Sequence, residues 1–172
     1  MTNRKQAPIT VKILSGGQSG VDRAALDAAI SLGITYGGWC PRGGWAEDFP
    51  DPPGLLVKYP QLVETPLADP AQRTEWNIRD SHAVLILVDA AGVTASRGTT
   101  LAKELAAQYR RPTLLIDLSD ASAGARVDSW LGLQLVTYGE ELVLGIGGPR
   151  ESEAPGIYER AKKFLAGALE RS

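Results

Sequence analysis

The stretch from Ser15 to Leu32, SGGQSGVDRAALDAAISL, decides how the rest of the sequence is interpreted. An apolar run at 11–14 precedes its glycines, and apolar residues then recur at helical spacing, namely Val21, Ala24, Ala25, Ala28, Ala29 and Leu32. A strand, a glycine turn and a helix in this order direct backbone N–H groups toward an anion at the helix N-terminus. The alternative is a tight turn that binds nothing, because Ser19 and Asp22 have the spacing of a capping box.

The best-known phosphate-binding motifs do not match this turn. A dinucleotide fingerprint requires G-x-G-x-x-G, and Ser15 occupies the position of its first glycine. A Walker loop requires a lysine after its last glycine, and Val21 follows Gly20 instead. The turn therefore indicates an anion site of some other family.

The composition limits the classes of function. A chain of 172 residues with 44% hydrophobic and 22% charged residues is typical of one soluble domain, with residues 1–10 as a mobile leader. The net charge of −2 excludes a global basic field, so neither nucleic acid nor a membrane is an expected partner. Cys40 and His82 are the only residues of their types, which excludes an internal disulfide and disfavours a structural zinc site. The N-terminus has no apolar segment of a signal peptide, so we expect a cytoplasmic protein.

Strands and helices alternate along the chain. Unbroken apolar runs predict inner strands at Val11–Leu14, Ala83–Val88, Thr113–Ile116 and Leu142–Ile146. Helices are predicted from Pro70 with Asp69 as N-cap, from near Thr99, across 122–138 and after the last glycines. Between residues 33 and 60, glycine and proline supply 11 of 28 residues, which predicts a long functional loop. The alternation predicts a single three-layer α/β domain with a mainly parallel sheet and helices on both faces.

Three loops follow apolar strands and lead into helices, at 15–20, 89–100 and 147–155. In a doubly wound sheet all three project from the carboxyl edge, where ligands bind. Small and donor residues in each loop predict a shared oxyanion site, and we expect the Gly16–Gly20 turn, Gly98–Thr100 and Arg150 to line one cavity. Alternatives remain for the arginines, since Arg97 by itself is typical of a solvated loop and Arg150 also suits a pair with a carboxylate.

Other chemistry-bearing residues have simpler interpretations. Cys40 lacks a neighbouring base in the sequence, and His82 directly precedes a core strand, so catalysis is not expected of either. Arg73 and Asn77 lie about one helical turn apart, close enough for a joint contact to one ligand. A flat heterocycle could stack on Trp39, Trp45 or Trp76, although packing is the commoner fate of a tryptophan.

Several segments together resemble the putative molybdenum carrier family. They are LSGGQSGVDRAALDAA (14–29), GGWCPRG (37–43), AEDFP (46–50), RTEWNIRDS (73–81), RGTTLAKELA (97–106) and GGPRESEAPGIY (147–158). Members are molybdenum cofactor carrier proteins with a Rossmann-like fold, related to the Lonely Guy phosphoribohydrolases. The resemblance implies a homo-oligomer, a dimer or tetramer, that binds molybdenum cofactor (molybdopterin) or molybdate. It also implies a molybdoenzyme or a cofactor-biosynthesis protein as partner.

The loops and the matched segments together give the candidate ligand-binding residues, with no catalytic or metal-ligating residue among them. The set is Gly16, Gly17, Gln18, Ser19, Gly20, Arg23, Arg42, Arg73, Asn77, Arg97, Gly98, Thr99, Thr100, Gly148, Arg150 and Ser152. Phosphate or a nucleotide is the alternative ligand, which leaves open a nucleotide-binding sensor or a nucleoside-monophosphate hydrolase. The related hydrolases carry G-T-x-x-E, and Ala102 stands where that glutamate belongs, which disfavours turnover.

Overall fold

The computed structural model describes residues 11–170, so the leader expected at residues 1–10 lies outside the described residues. Strands and helices alternate as the sequence predicts. The strands are β1 (Lys12–Leu14), β2 (Tyr36–Cys40), β3 (Leu62–Glu64), β4 (Ala83–Val88), β5 (Thr113–Asp117) and β6 (Val143–Gly147). The helices are α1 (Val21–Ser31), α2 (Leu55–Lys58), α3 (Pro70–Arg79), α4 (Arg97–Gln108), α5 (Ala123–Tyr138) and α6 (Ile157–Glu170).

The strands of the described chain form one sheet in the order β3-β2-β1-β6-β4-β5, with every neighbouring pair parallel. This confirms the predicted three-layer, Rossmann-like α/β fold. The prediction that residues 113–116 form an inner strand is wrong, because β5 lies at the edge of the sheet and Thr113 is exposed. Helices α4 and α5 pack against β5, which explains its apolar sequence despite the edge position.

Helices cover both faces of the sheet, and β4 divides its side chains between them. Leu85 and Leu87 belong to the largest core cluster, which includes residues of α1, α5 and α6. Val84, Ile86 and Val88 belong to a second cluster with residues of α3 and α4. Strand residues alternate between faces, so an entirely buried strand is apolar throughout. No helix within residues 11–170 combines the length and apolarity needed to cross a bilayer.

The strand order brings three loops together. β6 lies between β1 and β4, so the segments that follow these three strands leave the carboxyl edge side by side. The hydroxyl of Ser15 donates to the carbonyl of Ile146 at 2.9 Å and joins the ends of β1 and β6. The part of the edge above β1, β6 and β4 is where the candidate site lies.

Candidate functional site

A cavity of about 70 Å³ lies at the ends of β1 and β6 and extends between β4 and helices α3 and α4. A buried water needs roughly 10–15 Å³, so this space accepts several waters or one compact group such as an oxyanion. Its polar side carries Gln18, Asp22, Arg73 and Arg150. Its inner side is apolar and is formed by Leu14, Ile78, Val84, Ile86, Ala102 and Ile146.

Half of the predicted binding residues line this cavity, and half lie elsewhere. Those that line it are Gly16, Gln18, Arg73, Asn77, Gly98, Thr99, Gly148 and Arg150. Those absent from its lining are Gly17, Ser19, Gly20, Arg23, Arg42, Arg97, Thr100 and Ser152. Each of the three expected segments thus contributes to this cavity, through Gly16 and Gln18 of the Gly16–Gly20 turn, through Gly98 and Thr99, and through Arg150. Gly17 of the same turn instead faces Leu55 and Leu62.

The N-terminus of α1 is occupied by contacts within the chain. The Ser19 N–H donates to the side-chain oxygen of Gln18, and the Val21 N–H donates to the carbonyl of Pro149. The capping-box interpretation is wrong, because Gly20 caps the helix and no side chain caps it. Backbone donors that the glycine turn was expected to offer to a ligand are therefore partly used to hold the loop after β6.

The N-terminus of α4 borders the cavity instead. Ser96 caps this helix, and its hydroxyl accepts from the Thr99 N–H at 3.2 Å. The first N–H groups of a helix have no intrahelical partner, and Gly98 carries one of them at the cavity. No acidic residue lies in the first turn of α4, so the positive end of its dipole is not offset from within the helix.

The Thr99 hydroxyl is buried without a hydrogen-bond partner. Thr99 is 2% exposed and is one of the residues that line the cavity, and its Oγ1 has no donor or acceptor within reach among residues 11–170. Leaving such a group unpaired costs roughly 1–3 kcal/mol. A hydrogen bond between this hydroxyl and a ligand would remove the cost.

We expect Thr99→Val to raise the free energy of unfolding by about 1 kcal/mol in ligand-free protein, because it removes an unpaired buried hydroxyl. The matched control is Thr100→Val, since the Thr100 hydroxyl donates to the Val93 and Ser96 carbonyls, both at 3.1 Å. That control should lose about 1 kcal/mol. Urea unfolding measures both changes, and a loss of stability in Thr99→Val would contradict the assignment of an unpaired hydroxyl.

Arg73 and Asp22 form a buried ion pair on the polar side of the cavity. Arg73 Nη1 lies 2.8 Å from Asp22 Oδ2, and their side chains are 10% and 12% exposed. Burial raises the pKa of Asp22, while Arg73 and the backbone N–H groups of Gly148 and Gln18 act in the opposite direction. A Cβ on Gly16 would lie 2.0 Å from Arg73 Nη1, so glycine there is what admits the guanidinium.

Arg150 is held more loosely, by two carboxylates. Its Nε lies 3.4 Å from Glu153, and its Nη1 lies 3.8 Å from Glu47. Glu47 also accepts from the hydroxyls of Ser19 and Ser152 and thereby joins the loops after β1, β2 and β6. Although burial raises the pKa of Glu47, these hydroxyls and Arg150 outweigh it and lower that pKa below its usual value.

The other predicted polar residues have partners of their own or lie outside the cavity. Arg23 pairs with both oxygens of Asp48 at 2.8 and 2.9 Å and lies over the ring of Phe49. The Asn77 amide lines the cavity but exchanges two hydrogen bonds with the backbone of Trp39. Arg97 is exposed, and Arg42 lines a second cavity. The sequence patterns do not single out Asp22, Glu47 or Glu153 as site residues, and they predict only a capping role for Asp22.

The single cysteine is buried, and the single histidine contacts Tyr138 and Val143. Cys40 is fully buried, and burial raises the pKa of its thiol to about 11, so the thiolate is disfavoured at neutral pH. His82 stacks on Tyr138 with ring centroids 4.6 Å apart, and its Nδ1 accepts from the Val143 N–H. Within residues 11–170, no cluster of three or more acidic, histidine or cysteine side chains is arranged to hold a metal ion.

Comparison with known proteins adds family information to this geometry. The model of the circularly permutated YpsA SLOG family matches residues 13–169. The chain is also similar to a crystal structure described as a putative molybdenum carrier protein from Syntrophus aciditrophicus SB. The two are 38% identical, the match covers 94% of this chain and 96% of that chain, and the TM-score is 0.76. No curated protein matches the chain.

Proposed function

The chain belongs to the circularly permutated YpsA SLOG family, and from this premise we propose that it is a carrier that binds molybdate or the molybdenum cofactor. The family match and the 38% identical molybdenum carrier structure together confirm the resemblance drawn from the sequence motifs. In this proposal the ligand's oxyanion, either molybdate itself or the phosphate of the cofactor, occupies the cavity above β1, β6 and β4. The molybdenum is then cargo and is held through the ligand's own atoms.

One observation carries the proposal, namely the unpaired Thr99 hydroxyl beside the N-terminus of α4. An oxyanion accepts hydrogen bonds from hydroxyls and from backbone N–H groups, and the helix dipole favours its charge. The same cavity offers Arg73 and Arg150, and guanidinium groups bind tetrahedral oxyanions through paired N–H donors. The volume of about 70 Å³ suits one such group.

The charges around the cavity support different proposed roles for its two arginines. Asp22 neutralises Arg73 in a close, buried pair, so Arg73 serves mainly as an oriented donor. Arg150 has longer contacts to Glu153 and Glu47, and its side chain is one-third exposed. Because these contacts are weak, an entering anion competes with them at low cost. We therefore propose that the guanidinium of Arg150 moves to bind the ligand.

A nucleoside monophosphate is the alternative ligand, since its phosphate presents the same chemistry. Hydrolysis of its ribosyl bond would need a carboxylate beside that bond. Asp22 and Glu153 line the cavity, each near an arginine, and Ala102 holds the glutamate position of the related hydrolases. Release of free base from adenosine monophosphate would favour the hydrolase over the carrier.

We expect Arg150→Ala to weaken molybdate binding by about 10- to 100-fold, because a hydrogen bond to a charged group contributes roughly 1.5–3 kcal/mol. Binding should also weaken moderately with salt. Calorimetric titration with molybdate measures both effects. Arg79→Ala is the control, since Arg79 is similarly exposed, pairs with Asp80 and does not line the cavity. Equal affinities for the two variants would remove Arg150 from the site, and no molybdate binding by the wild type would contradict the oxyanion proposal.

The remaining expectations from the sequence stay proposals. They are a homo-oligomer, a cytoplasmic location, and delivery to a molybdoenzyme or a cofactor-biosynthesis protein.

A further inference from the structure

A second, wider cavity lies farther along the same sheet edge, above the ends of β2 and β3. Its volume is about 360 Å³, within the range of small-molecule sites. Arg42 and Trp45 come from the segment after β2, and Pro70 from the start of α3 after β3. Pro50 and Pro52 complete its apolar wall.

The lining of this wider cavity suits a flat ring. Trp45 is half-buried, and no other aromatic ring in the described chain stacks on it, unlike Trp39 and Trp76, which pack edge-to-face on each other. Arg42 is exposed and forms no ion pair among residues 11–170. Indole faces and guanidinium planes both stack on heterocycles.

Helix α3 borders both the wider cavity and the smaller cavity at which the oxyanion is proposed to bind. Pro70 lines the wider one, whereas Arg73 and Thr74, one turn later, line the smaller one. The Arg73 Nε donates to the Pro70 carbonyl at 3.3 Å, so the same turn borders both spaces. A helix rises about 1.5 Å per residue, which separates these positions by only about 5 Å along its axis.

We infer that the wider cavity binds a planar nitrogen heterocycle that belongs to the same ligand as the oxyanion in the smaller cavity. This inference rests on the proposed function and narrows its ligand, since bare molybdate has no group for the second cavity. A pterin phosphate and a purine nucleotide share the required chemistry, a flat ring joined to a phosphate. Trp45 supplies the stacking face, and Arg42 closes the outer side.

The test measures the affinities of molybdate, neopterin monophosphate and adenosine monophosphate by calorimetry. Neopterin monophosphate and adenosine monophosphate are the two ring phosphates. Trp45→Ala should lower the affinity for whichever of them binds more tightly by about 10- to 100-fold, as expected for lost stacking, and should leave molybdate affinity unchanged. Trp45→Phe keeps an aromatic face and should retain most of the affinity. Trp76→Ala is the control, because its ring packs on Trp39. Arg42→Ala, at an exposed position that does not endanger folding, should weaken the ring phosphate several-fold.

The outcomes separate the two proposals. If Trp45→Ala and Arg42→Ala bind the ring phosphates as the wild type does, the heterocycle site is refuted, while sensitivity of molybdate to Arg150→Ala keeps the oxyanion site. If neither ring phosphate binds more tightly than molybdate, the second cavity contributes nothing and the inference is overturned. If no probe binds the wild type, both proposals fail. The tighter of the two ring phosphates identifies the ring as pterin or purine.

Discussion

Arg73→Gln should lower the free energy of unfolding by about 3–5 kcal/mol at neutral pH. The substitution leaves the Asp22 carboxylate buried without its cation, and removing one partner of a buried pair has a cost of this size. For a chain of this length the melting temperature should fall by roughly 10 °C. Urea and thermal unfolding measure the change directly.

The loss should depend on pH in a specific direction. Burial raises the pKa of Asp22, and Arg73 opposes this, so without Arg73 the folded-state pKa rises further above the unfolded value. Between these two pKa values the folded state binds more protons than the unfolded state, and stability then falls as pH rises. The free energy of unfolding that Arg73→Gln loses relative to the wild type should thus be larger at pH 7.5 than at pH 5.

Arg126→Gln provides a matched control for this substitution. Arg126 pairs with Asp120 at 3.2 Å, with side chains 46% and 37% exposed, so its pair should contribute less than about 1 kcal/mol. If both variants lose the same small amount, or if the deficit of Arg73→Gln shrinks as pH rises, the pair with Asp22 does not stabilise the cavity wall.

The fold could be predicted from the sequence wherever a pattern reports burial directly. Ala83–Val88 is predicted with its observed bounds, since a strand covered on both faces is apolar throughout. The Asp69-Pro70 start of α3 is likewise observed, with Asp69 accepting from the Ala71 N–H. The burial of a strand does not, however, indicate which strands lie beside it in the sheet. The edge position of β5 depends on strand order, which its own residues do not encode.

The site was predicted less well, because partners distant in sequence decide what each polar group does. Arg23 lies in a matched segment, but both of its terminal guanidinium nitrogens donate to the carboxylate of Asp48, which is 25 residues away. Thr99 and Thr100 are adjacent and chemically alike. Only the first has an unpaired hydroxyl, since the second bonds carbonyls of the preceding turn.

The glycine-rich turn shows the same limit. Its composition predicts close backbone approach, which is observed, but the approaching group is the loop after β6 instead of a ligand. An ideal Cβ on Gly20 would lie 2.3 Å from the Pro149 carbonyl oxygen and 2.8 Å from Arg150 Cα. This contact joins the N-terminus of α1 to the segment that carries Arg150 and Glu153.

We therefore expect Gly20→Ala to lower the free energy of unfolding by about 3–5 kcal/mol and to weaken molybdate binding. Gly20 has φ of 81° and ψ of −132°, a conformation that costs other residues roughly 1–3 kcal/mol. Overlap with the Pro149 carbonyl adds roughly 1–3 kcal/mol and strains the hydrogen bond from the Val21 N–H at 3.1 Å. Relief of the overlap moves the loop and displaces Arg150 from the cavity.

Gly33→Ala separates the two contributions, because Gly33 also has a positive φ, 68°, yet an added Cβ would meet nothing within 4 Å. It should lose only about 1–2 kcal/mol, the cost of a left-handed conformation, and should bind molybdate as the wild type does. Urea unfolding gives the stabilities, and calorimetry below the unfolding transition gives the affinities. Equal stability losses in the two variants would mean that the loop yields to the new methyl group. Wild-type molybdate affinity in Gly20→Ala would mean that the packing of α1 against this loop does not position Arg150.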